Sequence, residues 1–267
     1  MICKICKSES KFVFEAKVLR KYNVKYYHCP SCGFLQTEEP YWLSEAYSEA
    51  ISSLDTGIMQ RNLYLSKITA FILLLFFDCR KKFLDYAGGY GVFVRLMRDY
   101  GFDFYWYDKY AQNLFARGFE YKEEMRRDIE AITCFEAFEH FVNPMEELEN
   151  MVSISKNIIF TTELLPKPVP RPQEWWYYVP EEGQHISFYS EETLNYIAKR
   201  FDLKYLKINQ NLHIFTQNNL NNKLIKLIVK PYMVLQRFSI INLLGLRLKS
   251  KVWEDFEHMK NIMWRQK

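Results

Sequence analysis

Phe83-Leu84-Asp85-Tyr86-Ala87-Gly88-Gly89-Tyr90-Gly91 reads as a buried strand that ends on an acid and then bends through glycines. Glycine at such a bend lets main chain approach a ligand where a Cβ would collide. Asp108 follows at the end of the next strand-like stretch, Phe104–Tyr107. An acid about 20 residues beyond the bend is placed to accept both hydroxyls of a ribose. Two details separate this bend from a dinucleotide motif. Asp85 stands just ahead of the turn, where a carboxylate suits a ligand carrying an ammonium and a sulfonium better than a pyrophosphate. Val94 occupies the place where G-x-G-x-x-G wants a small residue. The bend is therefore read as a site for S-adenosylmethionine in preference to a nicotinamide cofactor.

Outward from the bend, strands alternate with helical stretches from Lys82 to about Asn218. Strands are expected at Phe83–Tyr86, Phe104–Tyr107, about Gly118–Tyr121, Ala131–Phe135 and Ile158–Thr162. That alternation predicts an α/β fold, a parallel sheet with helices on both faces. The last two strands, near Tyr205–Asn209 and His213–Thr216, lie too close in sequence for a helix and must form a hairpin. A parallel sheet ending in an antiparallel hairpin resembles the Rossmann-like sheet of class I methyltransferases. The divisions expected are residues 1–40, 41–78 as a helical lead-in, 79–218 as the cofactor domain, and 219–267 as a helical tail.

Four of the six cysteines form Cys3-x-x-Cys6 and Cys29-x-x-Cys32, with 22 residues between the pairs. Each pair grips a metal from one short turn, and two pairs complete a tetrahedral thiolate site suited to zinc. Residues 1–40 are read as a zinc ribbon. Four thiolates leave no open coordination position, so the metal is structural. Cys79 and Cys134 are expected to be buried thiols. Seven basic residues from Lys4 to Lys25, interleaved with Phe12, Phe14 and Tyr22, either solvate this small domain or face nucleic acid. Solvation is the simpler reading.

The chain has 267 residues, of which 49% are hydrophobic and 25% charged, enough for one full core and a small appendage. Met1 leads straight into a lysine-dotted segment, so no cleavable leader is read and a cytoplasmic protein is expected. The longest apolar run, Ile68–Phe77, falls far short of the roughly 20 residues that span a bilayer. The tail from Asn219 carries ten Lys or Arg against three acids, although the whole chain nets only +4. A basic amphipathic helix can lie on an anionic membrane surface, close the back of the sheet or form a dimer seam. The oligomeric state is not read.

Ligands of open parallel sheets bind beyond the carboxyl ends of the strands. The fourth strand exits into Phe135-Glu136-Ala137-Phe138-Glu139-His140, and Glu139 and His140 either reach the active centre or brace the next helix. The fifth exits into a 28-residue connection, Glu163 to Ser190, rich in proline and holding Trp175-Trp176-Tyr177-Tyr178 and Gln184-His185. Loops this long are usually lids or binding loops. Its rings suit a sugar or a base, or else clasp the core. His185 is read as a general base on the ground that imidazole titrates near neutral pH.

The cysteine pairs, Asp55-Thr56-Gly57 with Arg61-Asn62, Asp85–Gly91, Phe135-Glu136 with Glu139-His140, and Trp175-Trp176 with Gly183–Tyr189 together resemble bacterial class I methyltransferases of the Methyltransf_23 type. These are often associated with cell-surface polysaccharide and sugar-modifying genes. The plan is also similar to zinc-bearing sugar C-methyltransferases of antibiotic pathways, which have a further C-terminal domain. The resemblance implies cofactor contacts at Asp85, Ala87, Gly89, Gly91, Asp108 and Phe135, with His140 and His185 on the acceptor side. Ala87 replaces the usual first glycine, and its backbone is expected to avoid a positive φ. A sugar methyltransferase is the leading expectation, with a small-molecule or glycan acceptor. An RNA methyltransferase and a non-catalytic scaffold are the alternatives.

Overall fold

A computed structural model describes residues 1–47 and 56–235, together with Glu254 and His258. The chain opens with β1 (Lys11–Val18), β2 (Tyr22–His28) and β3 (Leu35–Thr37), then the short α1 (Leu43–Ala46) and the long α2 (Ile58–Phe76). The glycine bend joins β4 (Lys82–Tyr86) to α3 (Val92–Asp99), and β5 (Asp103–Tyr107) and β6 (Ile129–Cys134) follow. Next come α4 (Pro144–Ile154), β7 (Ile158–Thr161), the two-residue β8 (Ser187–Phe188) and α5 (Glu191–Arg200). The hairpin β9 (Lys204–Lys207) and β10 (Leu212–Thr216) leads to α6 (Asn222–Leu235). These elements gather into two compact units, Met1–Leu54 with Cys134–Asn218, and Asp55–Thr133 with Asn219–Lys267.

In the second of these units β4 pairs in parallel with β5 on one edge and with β6 on the other. Phe83 and Phe104 stack across β4 and β5 at 5.2 Å, and Phe93 of α3 meets Phe104 edge-on, so helix and sheet share one aromatic core. Buried Arg98 is satisfied by Asp103 and the Phe104 carbonyl, both at 2.8 Å, and lies over the Phe119 ring. The strand expected at Gly118–Tyr121 is reduced to one bridge, Trp106 to Glu120. Glu120 there turns back to accept from Gly118 and Asn113, which holds the segment in a turn. Arg61 and Asn62 fall in the first turns of α2, ahead of its apolar run. Ile225, Val229 and Tyr232 form the buried stripe of α6, and Tyr232 stacks on Phe71 of α2 at 3.9 Å. Asp55 and the apolar stretch 238–248 lie outside the described residues.

The first unit holds two sets of antiparallel strands. In one, β10 pairs with β7 and with β9, which is the terminal hairpin read from the sequence. The other runs β1-β2-β3-β8, so the ribbon takes its fourth strand from the long connection. A ribbon of this size has too few apolar residues to build a core alone. Here Leu165, Trp175, Tyr177, Tyr178, Ile186 and Phe188 of the connection pack with Val18, Val24, Tyr26, Leu35 and Trp42 of the ribbon. Trp42 Nε1 donates to the Gly183 carbonyl at 2.8 Å, and Leu19 N to that of Pro180 at 2.8 Å. Of the two readings left open for the connection, the packing is that of a clasp: of Trp175–Tyr178 only Trp176 is exposed. No helix among the described residues is long and apolar enough to cross a membrane.

Candidate functional site

At the glycine bend, Gly89 N donates to Asp108 Oδ2 at 3.0 Å, and Trp106 Nε1 donates to the Gly89 carbonyl at 2.8 Å. Gly88 N donates to the Tyr107 carbonyl at 3.0 Å, which ties the bend to the end of β5. Gly89 and Gly91 have φ of +53° and +85°, the left-handed region that favours glycine. A Cβ on Gly89 would meet nothing within 4 Å, whereas one on Gly91 would press on Asn113. Ala87 has φ of +60°, contrary to the expectation that it avoids this region. The two main-chain bonds that close the bend, Gly88 to Tyr107 and Gly91 to Gly88, hold it there against the steric cost of a methyl group.

Asp85 ends β4 almost wholly buried, and its Oδ1 accepts a 2.6 Å bond from Thr133 of β6. Burial pushes its carboxyl up to about 7; the Thr133 hydroxyl lowers it, and the charge of Asp108 raises it. Asp108 itself accepts from Tyr110 N and Ala111 N through Oδ1 while Oδ2 faces Gly89. Tyr86 packs against Tyr107 in the core. The two carboxylates thus flank one stretch of main chain whose Gly88, Gly89 and Gly91 N–H groups are taken by the Tyr107 carbonyl, Asp108 Oδ2 and the Gly88 carbonyl.

In the other unit, β6 runs out through half-buried Phe135 to Glu136, whose φ is +51°. Glu136 is held by a reciprocal clamp: its N–H donates to Thr161 Oγ1, and that hydroxyl donates to Glu136 Oε1, each at 2.8 Å. Burial and the Glu136 charge push the neighbouring Glu163 carboxyl up. Glu139, His140 and His185 converge, with their rings and carboxylate close enough for one ligand atom of each to lie within 4.8 Å of the others. The two imidazoles cross at 88° with centroids 5.0 Å apart. His185 Nδ1 lies 2.7 Å from the Tyr177 carbonyl, which can only accept, so Nδ1 carries the proton and Nε2 keeps its lone pair. His140 Nδ1 bonds the Tyr47 hydroxyl at 2.8 Å.

Burial depresses His185 to about 4, and burial followed by the neighbouring His185 depresses His140 to about 3. The premise that His185 titrates near neutral pH is therefore corrected. Packing against Tyr177 and the clasp strips water from the charged form, so the neutral form persists through the physiological range. His213, by contrast, bonds Thr162 O and Tyr205 OH inside the sheet and is a core residue.

Cys3, Cys6, Cys29 and Cys32 come together, with Sγ atoms 3.6 Å apart for Cys3 and Cys32 and 3.4 Å for Cys6 and Cys29. Both turns have one form: Lys7 N donates to Cys3 O and Gly33 N to Cys29 O, and Lys7 and Gly33 have φ of +63° and +76°. All four Sγ lie within 4.8 Å of one another, so the residues fit a tetrahedral metal. Cys134 is buried as expected, but Cys79 is only half-buried.

Thr133 and Thr161 are contacts that motif reading did not supply. Thr133 had a faint signal, as a polar residue in the apolar strand beside β4; Thr161 had none.

A family described as a methyltransferase domain, Methyltransf_23, matches residues 59–208. No curated protein matches the chain. Among solved structures, human N-acetylserotonin methyltransferase in complex with SAM is similar over 67% of this chain and 66% of that one, at 14% identity and TM-score 0.42. CalO1, a methyltransferase in calicheamicin biosynthesis in its SAH-bound form, is similar over 67% and 60%, at 11% identity and TM-score 0.42. An O-methyltransferase family 2 protein from Planctomyces limnophilus in complex with apigenin gives 65% and 64%, at 16% identity and TM-score 0.36. The chain spans about two thirds or less of the length of these three proteins.

Proposed function

Because this chain belongs to the Methyltransf_23 family of class I methyltransferase domains, we propose that it moves a methyl group from S-adenosylmethionine to a sugar, as a sugar nucleotide or surface-polysaccharide precursor. The observation that carries the donor half is the bend itself, with Asp108 on Gly89 N and Asp85 buried beside it. The cofactor supplies an electrophilic methyl on a sulfonium, displaced in line by the acceptor. Asp85 would face its ammonium, Asp108 would take the ribose hydroxyls, and the bare main chain of Gly89 and Gly91 would allow close approach; Phe135 is a cofactor contact by the family resemblance alone. Ala87 shapes the bend.

On the acceptor side, His185 accepts the proton of the attacking hydroxyl at Nε2, with Nδ1 anchored on Tyr177. A neutral imidazole is always ready to accept, although its low basicity limits the pull it exerts. His140 braces this ring. The four thiolates hold zinc, which knits the ribbon to its borrowed core and takes no part in the chemistry. The protein acts in the cytoplasm on a small acceptor. The sugar class rests on the family resemblance alone.

Calorimetry with S-adenosylmethionine and its demethylated product tests the donor half, and methyl transfer to a panel of nucleotide sugars tests the acceptor half. No heat with either cofactor form would sink the enzymatic reading. Transfer to RNA with no transfer to any sugar would replace the acceptor class.

A further inference from the structure

We infer that Glu139, His140 and His185 form a second metal site, built for a divalent first-row transition cation. Their ligand atoms already lie within 4.8 Å of one another, and His140 Nε2 is 4.0 Å from Glu139 Oε1. Tetrahedral ligands at about 2.0–2.1 Å from a cation sit roughly 3.3 Å apart, so closing on a metal asks each atom to move by under about 1 Å.

Three further features point the same way. Ile186 N donates to the Glu139 carbonyl at 2.9 Å, so the backbone carrying His185 is pinned to the backbone carrying Glu139 and His140. Ser187 Oγ on Phe141 O and Tyr189 OH on Phe138 O, at 2.8 and 3.0 Å, fix the same two segments on either side. Each imidazole is also held at Nδ1 by an oxygen, the Tyr177 carbonyl for His185 and the Tyr47 hydroxyl for His140. Metal-bound histidines characteristically have this outer partner, which orients the ring and turns Nε2 to the ion.

Two imidazoles and one carboxylate suit zinc, iron, cobalt or manganese and are a poor set for magnesium or calcium. Three protein ligands leave a coordination position open, unlike the closed four-thiolate ribbon. A hydroxyl bound there loses its proton far more readily than in water. The site rests on the proposed methyltransferase reading for its role only. With His185 Nε2 on the cation the ring could not also take the acceptor's proton, which would then leave to solvent from the open coordination position; without the cation it would pass to Nε2 as proposed above.

The test is zinc titration of the full-length protein with its ribbon metal left in place, without methyl donor or acceptor. Two equivalents in total are expected, the ribbon's all-sulfur and the second adding a nitrogen and oxygen shell to the zinc-edge X-ray absorption. His140→Gln with His185→Gln, and separately Glu139→Gln, should lower affinity for the second equivalent at least a hundredfold while leaving the sulfur shell intact. A single equivalent in the wild type, or a second equivalent with no imidazole signature, overturns the site, and the wild-type spectrum decides this even if the variants misfold. Absence of cofactor binding by calorimetry would instead defeat the methyltransferase reading and leave the metal result standing.

Discussion

The Thr133 hydroxyl donates a 2.6 Å hydrogen bond to Oδ1 of Asp85, a carboxyl group buried at the end of β4 beside the glycine bend. This bond is the only one of the three influences on Asp85 that favours its charged form; burial, the largest, and the charge of Asp108 both oppose it. The group sits at about 7 when folded against an ordinary value of 3.8.

The sign of the pH effect follows. Between roughly pH 4 and 7 the unfolded chain has released this proton and the folded chain has not, so stability falls as pH rises through that window, by up to about 1.4 kcal/mol per unit, and levels off above it. A cationic ligand favours the carboxylate, so cofactor affinity should rise from pH 5.5 to 7 with release of a proton. Calorimetry in two buffers of different ionisation enthalpy reads that proton. Asp85→Asn should abolish the proton release and weaken binding, and Thr133→Val should move the rise to higher pH. A flat wild-type affinity across this range would remove Asp85 from the ligand site.

Ala87 at φ of +60° bears a steric cost that glycine does not. Ala87→Gly should therefore stabilise the protein by about 0.5–1 kcal/mol, after allowance for the greater freedom of glycine in the unfolded chain. A thermal melt should show a rise of about 1–4 °C. A lower melting temperature would mean that the methyl group makes a favourable contact that outweighs its strain.

Gly183 is one of the points at which the clasp touches the ribbon. Its φ is +68°, and a Cβ there would lie 2.8 Å from Val18 Cγ1 and 3.2 Å from Trp42. Gly183→Ala combines left-handed strain with overpacking and should cost about 2–4 kcal/mol. Because Trp175 and Trp42 share this core, tryptophan fluorescence should shift at lower denaturant than in the wild type. An unchanged midpoint would show that the clasp yields at no cost.

The ribbon and the connection should also fail together. Thr193 Oγ1 donates to Cys32 O at 2.8 Å, so the second cysteine turn is bonded directly to α5. Cys29→Ser should lower zinc content by one equivalent and expose Trp175 and Tyr178 to quencher as well as the ribbon. Loss of the metal with these rings still protected would show that the borrowed core stands without it.

Local spacing made part of this arrangement legible. Asp85 ends β4, Gly89 lies in the bend that follows it, and Asp108 stands just beyond the neighbouring parallel strand β5, about 20 residues on, while the cysteine pairs carry their ligand geometry in short turns. The β3–β8 pairing was not legible, because Ser187–Phe188 is two residues long and its partner Leu35–Gln36 is some 150 residues away. The bond from Tyr47 to His140 crosses 93 residues with no motif behind it. Ala87 misled for a different reason. Side-chain preference argued against a positive φ, and closure of the bend onto Tyr107 overrode it. His185 misled because burial by the clasp, which sets its basicity, depends on tertiary packing alone.

His185 carries the acceptor-side proposal, and its replacement separates catalysis from folding. His185→Ala should leave binding of the demethylated cofactor within about twofold, since Asp85, Gly89 and Asp108 are untouched. It should lower kcat by about 10²–10⁴, the usual worth of a positioned proton acceptor. Tyr177 offers only its main-chain carbonyl to Nδ1, so Tyr177→Phe should preserve the bond and most of the rate, whereas Tyr47→Phe removes the partner of His140 and should fall between the two. If His185→Ala turned over its acceptor at the wild-type rate, proton removal would have to pass to another group. Glu163 would be the first to examine, because its raised carboxyl lies beside the strained Glu136.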